Sequence, residues 1–592
     1  MRKQIFMVCF WLAVLAIAAH VLPISPVDSL VAAGSDSMAD RILYNGKVVT
    51  VDSKFSIAEA VAIKDDKIIA VGTNDQILAL ALDRTERIDL GGKTVVPGLT
   101  ESHTHITQAA ESEFFGELYI PTSVEALLGF ISQKVDTLKE GEWIYFRNTY
   151  PTRLKEYRFP ALQELDSVAP KNPVFVDGAY AGQANSYAMK IAKIDGNTPQ
   201  PAVGEIVKDP ATGKPTGLLL RCQPLVTQHY SGMRKLNHEE RMEALRKLTK
   251  NYNQLGITSV IEGGSTPDGV AAFNELYKRG ELTVRMSYTI RPDISKPKED
   301  IVKQVKAFYP LIKTPDDWGK LHFLKAWVDG GILTGTALMR EPYGTTGPLY
   351  QKVFGHTDSK FKGVITYDLE AYTKAAEIAY ELNLQMTAHC IGDGALDVLF
   401  ASYKRVNNVN PIKNRRWSAI HGDFTDEAML KMMADLGIMN IAQIAWFYKD
   451  GDILSKILTE RAMKSFYPFK TMERLGVIAT GGSDHMVKWD SVESVNPYNP
   501  WLSMYALVTR QTERGGLLMP EERISRESAL KQYTINGAYA MFAENIKGSI
   551  EKGKLADLVV INKDYLTCPA DEIKGIRASL TMVGGKVVHK EF

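Results

Sequence analysis

Residues Leu384–Val406 read LQMTAHCIGDGALDVLFASYKRV. An apolar β run, Leu384–Ala388, leads into His389. A glycine-bearing loop follows, then a helical pattern over Gly394–Val406. Strand, loop and helix make one unit of an α/β fold, and the unit recurs. Eight apolar β runs lie between about residues 95 and 485: Thr94–Leu99, Ile257–Ile261, Val284–Ile290, Leu321–Val328, Leu384–Ala388, Trp417–Ile420, Ile438–Ile444 and Val477–Thr480. Further helical patterns, Asp368–Leu382, Asp426–Leu436 and Pro468–Leu475, separate the later runs. Eightfold alternation of this kind predicts a closed parallel (β/α)8 TIM barrel over 97–544.

The gap between the first two runs is too long for one crossover. It carries strand signals of its own at Trp143–Phe146, Pro173–Val176 and Gly217–Leu220, which predict an inserted subdomain over 110–235. Both ends of the chain are β-rich. At one end stand Arg41–Val51, a hairpin signal around Asn45-Gly46, and the short runs Ala60–Ile63, Lys67–Val71, Arg87–Leu90 and Lys93–Val96. At the other stand Gly548–Ile561 and Ser579–His589. Together they predict a small β-sandwich domain built from both termini, 40–96 plus 545–592.

The first residues have the layout of a secretory signal peptide. Arg2 and Lys3 precede an apolar run, Ile5–Ala19, and small residues follow at Ala32–Ala33 and Met38–Ala39. The run falls short of the roughly 20 residues of a spanning helix. A signal peptide and leader over 1–39, and a periplasmic or secreted product with no stable membrane insertion after signal removal, are expected.

Composition narrows the function. Of 592 residues, 70 are Lys or Arg and 69 are Asp or Glu, a net charge of +1. That balance gives no electrostatic case for nucleic acid. Hydrophobic residues at 45% and charged residues at 23% exclude a disordered chain. Cys9, Cys222, Cys390 and Cys568 form neither a CxxC pair nor a disulfide framework and read as ordinary buried residues. The expected partner is a small-molecule substrate, and homo-oligomerisation stays open.

The polar residues at the strand ends carry the chemistry. His103 and His105 end the first run in PGLTESHTH. Side chains at i and i+2 share one face of extended backbone, so an HxH pair can chelate there and not on a helix. His389 ends the fifth run, His421 the sixth, and Asp484 the eighth in ATGGSDH. Lys325 stands near the end of the fourth, among Phe323, Leu324 and Trp327. The C-terminal ends of barrel strands are where active sites form. Four imidazoles and a carboxylate suit a divalent ion, Zn²⁺ first.

These motifs resemble the amidohydrolase superfamily, family 3, in its YtcJ-like and N-substituted formamide deformylase-like branch. The resemblance spans nearly all of the chain after the leader. It rests on PGxxxSHxH at Pro97–His105, KxxxDG at Lys325–Gly330, HCIGDGALD at His389–Asp397, GSD at Gly482–Asp484 and GSIEKGKLADLVV at Gly548–Val560. Asn185-Ser186 and Pro215-Thr216-Gly217 extend it into the insert. It implies that His103 and His105 bind a first metal with Asp484, and that His389 and His421 bind a second. It places Lys325 where related enzymes carry a carboxylated lysine bridging two ions; a one-ion site is the alternative. The sequence departs from the family pattern at Glu101, Tyr180, Ile420 and His485-Met486, all near the site or the substrate path.

The implied activity is metal-dependent hydrolysis of a C–N bond other than a peptide bond, by attack of a metal-bound hydroxide. The substrate would be an amide, including an N-substituted amide or formamide. Asp484 would take the proton from water and pass it to the leaving nitrogen. A lactonase or a deaminase on the same metal site, and a non-catalytic binding protein, are the alternatives. Phe114, Phe115, Trp446, Phe447 and Tyr448 either give the barrel mouth an apolar lining or pack the insert against the barrel.

Overall fold

The computed structural model describes residues 38–591 except 148, 233, 344–348, 350–352 and 356–357. The expected leader lies outside the described residues up to residue 37.

Eight strands form the centre: β1 Leu99–Thr104, β2 Ile257–Glu262, β3 Arg285–Ile290, β4 Gly319–Trp327, β5 Gln385–Cys390, β6 Ser418–His421, β7 Met439–Ala442 and β8 Ala479–Gly481. Each pairs in parallel with the next. β1, β2, β3 and β5 are buried along their whole length, as strands are when helices clad one face and barrel-filling side chains cover the other. The helices read from the sequence occupy Leu369–Glu381, Asp393–Asn407, Glu427–Leu436 and Phe469–Leu475. Asp368 and Asp426 cap two of them by accepting the N–H of Ala371 and Met429.

β8 closes on β1 at one end only. A parallel bridge joins Thr104 to His485. The N–H of Asp484 donates to the His103 carbonyl (2.7 Å), and the N–H of His105 to the His485 carbonyl (2.9 Å). The seam of the barrel therefore runs through the HxH and GSD motifs and brings together residues almost 400 positions apart in the chain.

Two of the sequence expectations need correction. The run Thr94–Leu99 is not a barrel strand: Thr94–Pro97 belongs to the sandwich, and β1 starts at Leu99. The partner changes at Gly98, whose N–H donates to Asp557, while Leu99 donates to Gly256. A Cβ on Gly98 would come within 2.2 Å of the Thr258 hydroxyl oxygen, so only glycine permits this handover. Second, Asn45-Gly46 turns the chain but makes no hairpin. Ala39–Tyr44 joins a four-stranded sheet and Lys47–Val49 a six-stranded one.

Those two sheets are the sandwich. The four-stranded sheet runs Lys67–Gly72, Ala60–Lys64, Ala39–Tyr44, Ala81–Asp89. The six-stranded sheet runs Lys586–Lys590, Ala578–Val583, Leu558–Ile561, Thr94–Pro97, Lys47–Val49, Ile57–Ala58, so both termini build it. Leu43, Val61, Ile68, Val95, Leu558 and Leu580 share its core. Arg285 of β3, 1% exposed, pins it to the barrel through Asp557 and Asp317, each at 2.8 Å.

The insert forms a five-stranded sheet in the order Glu205–Lys208, Pro215–Leu220, Ala181–Ala184, Val174–Asp177, Ile144–Phe146. The turn at 178–180 and the end of Pro215–Leu220 bring Tyr180 and Arg221 to the C-terminal mouth of the barrel, where both line one cleft with His105 and Lys325.

Candidate metal centre

All six residues singled out by the sequence meet at that mouth. His103, His105 and Asp484 each offer a ligand atom, and these lie within 4.8 Å of one another. Asp484 Oδ1 is 3.4 Å from Nε2 of both histidines. Lys325 Nζ, on β4, is 3.2 Å from His103 Nε2. The rings of His389 and His421, on β5 and β6, are 4.5 Å apart, and His421 is 5.8 Å from His103.

Neighbours fix how each ring presents itself. His421 Nδ1–H donates to Gln443 Oε1 (2.5 Å), which leaves the lone pair on Nε2. His389 Nε2–H donates to the Gly330 carbonyl (2.9 Å), which leaves the lone pair on Nδ1, where Tyr180 Oη donates at 3.1 Å. Trp446 stacks on His421 at 4.8 Å. Glu262 stands 3.7 Å from His105 Nδ1. Glu101 accepts the N–H of His103 (3.1 Å) and of Ser483 (2.8 Å) and so ties the HxH strand to the loop that carries Asp484. Asp329, in the KxxxDG segment, accepts the N–H of Leu338, Ile391 and Gly392 and fixes the loop after His389.

The backbone bends to make this geometry. His421 has φ 77° and Asp484 φ 55°, both in the left-handed region that L residues rarely adopt. Such conformations cluster where a side chain must be aimed. Gly263, just past β2, supplies room: a Cβ there would come within 2.4 Å of His103 and 2.9 Å of His105.

Burial sets the charges. It pushes all four imidazoles well below the usual histidine range, so they are neutral donors at neutral pH. It pushes the Lys325 amine down to about 7, against the pull of Asp484. It raises the Asp484 carboxyl, against His105 and Lys325, and takes Glu262 up to about 7 and Glu101 to about 8. Neutral imidazoles, a carboxylate and the space cleared by Gly263 fit a divalent ion.

Other expectations divide. Of the five aromatic residues, Trp446 alone touches the site; Phe447 packs on Phe466, Tyr448 on Tyr505, and Phe114 and Phe115 on each other. His485 uses both nitrogens elsewhere, with Tyr252 Oη (2.9 Å) and the Lys488 carbonyl (2.6 Å). Cys222 and Cys390 are buried, with thiol pKa values raised by burial, whereas Cys568 is only half-buried. The sequence reading did not single out Glu262, Arg291, Asp329 or Gln443. Glu262 and Gln443 stand at the C-terminal ends of β2 and β7, a position that could have marked them.

Comparison with known proteins gives a consistent picture. The amidohydrolase family model matches residues 86–589. N-substituted formamide deformylase of Arthrobacter pascens is 27% identical over 93% of this chain and 98% of its own. Protein LONG AFTER FAR-RED 3 of Arabidopsis thaliana is 29% identical over 93% of this chain and 92% of its own. Among solved structures, an uncharacterised metal-dependent hydrolase of Pyrococcus horikoshii superposes with a TM-score of 0.65 at 20% identity, over 90% of this chain and 99% of its own, a likeness of fold.

Proposed function

Because the chain belongs to the amidohydrolase family, and is thereby a hydrolase of carbon–nitrogen bonds, we propose that it is an exported, metal-dependent amidohydrolase acting on an N-substituted amide, with formamides included. The observation that carries the reading is the meeting of His103, His105 and Asp484 within 4.8 Å, with Lys325 3.2 Å from His103. His103, His105 and Asp484 would hold one ion, Zn²⁺ by donor type. His389 and His421 would hold a second, and Lys325, carboxylated, would bridge the two. A divalent ion in such a site lowers the pKa of a bound water from about 15.7 to about 7 and polarises a carbonyl oxygen.

The chain's own residues would do the rest. Asp484 takes a proton from the attacking water and delivers it to the nitrogen as the C–N bond breaks. Water adds across that bond, and the products are a carboxylic acid and an amine. A carboxyl whose pKa burial raises is suited to carry a proton both ways. Gln443 and the Gly330 carbonyl hold His421 and His389 in the tautomers that face the site.

The test is amine release from an N-alkyl formamide, run beside a lactone and a ring-amine substrate. Chelation should abolish release, and added Zn²⁺ should restore it. Full turnover by metal-free protein, or preference for the lactone or the ring amine, would overturn the reading. Export rests on the Arg2-Lys3 start and the Ile5–Ala19 run; N-terminal sequencing of the protein made by its host would reject it on finding Met1 intact.

A further inference from the structure

Two arginines reach the cleft, one from the barrel and one from the insert. Arg291 follows β3, and Arg221 follows the insert strand Pro215–Leu220. Both line a cleft of about 600 Å³ with His105, Lys325, Trp327 and Tyr367. Neither has a carboxylate within 4.0 Å among the described residues. Among the arginines of the core, one is ion-paired and one is satisfied by carbonyls. Arg285 is paired with Asp557 and Asp317, and Arg510 donates to the carbonyls of Tyr467 and Leu518.

Both guanidinium groups rest on aromatic rings, and the buried acids that act on them, Glu262 on Arg291 and Asp329 on Arg221, stand beyond ion-pair distance. Arg291 lies over the Trp327 ring, 4.8 Å from its centroid, and open to the cleft. It packs on Gly264, where a Cβ would come within 2.4 Å of its Nε. Arg221 lies over the Tyr180 ring at 5.4 Å, donates from Nη2 to Thr366 Oγ1 (2.8 Å), and keeps a buried Nε with no partner. Its backbone is left-handed, φ 54°, and its N–H donates to the Tyr180 carbonyl (2.9 Å). Asp293, the acid on the rim, is turned to its own loop and accepts from Ser295 N–H (3.0 Å) and Oγ (2.6 Å).

Their distance from the reacting centre is short. Gly264 seats Arg291, and its neighbour Gly263 seats His103 and His105. Adjacent Cα atoms are about 3.8 Å apart. Tyr180, which backs Arg221, also bonds His389. An anion on these arginines would therefore lie a few bonds from the scissile carbonyl.

We propose that Arg221 and Arg291 form a carboxylate receptor, and that the substrate is an N-acylated amino acid whose carboxylate stands next to the bond that is cut. Guanidinium forks match carboxylates, and preorganisation on an aromatic face reduces the entropy lost on binding. Trp327, Tyr367, Ile294 and Met486 supply apolar surface for the amino-acid side chain. The substrate class rests on the amide-hydrolase reading above; the receptor itself does not.

The test pairs N-formylphenylalanine with N-formylphenylalaninamide, which differ in one charge, using zinc-loaded full-length protein. Wild type should favour the acid in kcat/KM by roughly 30-fold, the value of a charge-assisted hydrogen bond of about 2 kcal/mol. Arg291→Gln should erase that preference, mainly by raising KM for the acid. Equal use of the two compounds by wild type, or equal slowing of both by Arg291→Gln, would overturn the proposal. A second arm measures equilibrium binding of 3-phenylpropanoate against 3-phenylpropanamide to the same two proteins. If wild type cuts neither formyl compound while it still releases amine from the N-alkyl formamide, the proposed substrate class fails; if it cuts none of the three, the hydrolase reading fails, and binding decides the receptor. Selective binding of the acid that Arg291→Gln removes supports it, and binding unchanged in Arg291→Gln refutes it.

Discussion

The two ends of the barrel both bury a lysine and histidine in polar company, yet only one of them gathers ligands. At the C-terminal mouth stands Lys325; beneath the N-terminal mouth stands Lys547, lining a cavity of about 730 Å³ with His322 and Gln385. Burial pushes each amine down to about 7, and His322 is lowered to about 3 for the same reason. A shifted pKa therefore does not separate the two ends. Partnership does. Below, each group is satisfied by its own neighbours: Lys547 Nζ donates to Ser259 Oγ (2.5 Å) and Met541 Sδ (3.3 Å), and His322 Nδ1 bonds Ser287 Oγ (2.8 Å). Above, three donors converge within 4.8 Å, and one of them, Asp484, takes left-handed backbone, as does the neighbouring His421. Convergence together with strain marks chemistry, whereas burial alone marks a core.

The largest effect should come from the converging side. Asp484→Asn keeps the shape of the side chain and removes the proton carrier. Turnover of the formyl substrate should fall by about 10³-fold or more, within the range of lost general acid–base catalysis. The melting temperature should stay within a few degrees. Turnover within tenfold of wild type would break the contrast, because the acid of the converging cluster would then be as dispensable as the polar groups below.

What the sequence made legible depends on how local the signal is. The eight β runs and the helices between them were legible because period and apolar content are local properties. The positions of His103, His105, His389, His421 and Asp484 at strand ends were legible too, since each run ends in view. The handover at Pro97-Gly98 was not. TVVPGLT is apolar or small throughout, and the change of partner from Asp557 to Gly256 lies in distant chain. Asn45-Gly46 gave a correct turn and a wrong pairing for the same reason: the turn is local and the sheets are not. Gln443 and Arg291 stayed hidden because their importance is a tertiary contact, with no motif to announce it; Asp329 stood inside the KxxxDG motif, but its three N–H partners lie beyond it in the chain.

A middle-sized effect should separate the rings from what aims them. Gln443 accepts the His421 Nδ1 proton but lies outside the donor cluster. Gln443→Leu removes the acceptor and should weaken metal affinity by about 10- to 100-fold, read by competition with a chromogenic chelator. Gln443→Glu restores an acceptor and should recover most of the loss. If leucine and glutamate behave alike, the upper end owes its order to packing, as the lower end does.

The smallest effect on activity should come from the lower end. Lys547→Met replaces the buried amine with an apolar chain of similar length, and kcat/KM should stay within about twofold, whereas Lys325→Met should cost most of the activity. Stability supplies a second reading. The folded pKa of Lys547 is about 7 and that of an unfolded lysine about 10.4. Between these values the unfolded chain binds the extra proton, so this residue makes stability rise with pH across that window. Below pH 7 both states are protonated and the cost of burying the charge is constant. Wild type should therefore gain up to a few kcal/mol from about pH 7 to pH 10 relative to Lys547→Met, measured by urea unfolding at each pH. Parallel pH curves for the two proteins would mean that Ser259 or the cavity keeps the charge as well solvated as water does. The lower lysine would then be held as an ion, and the likeness of the two ends in burial would no longer stand.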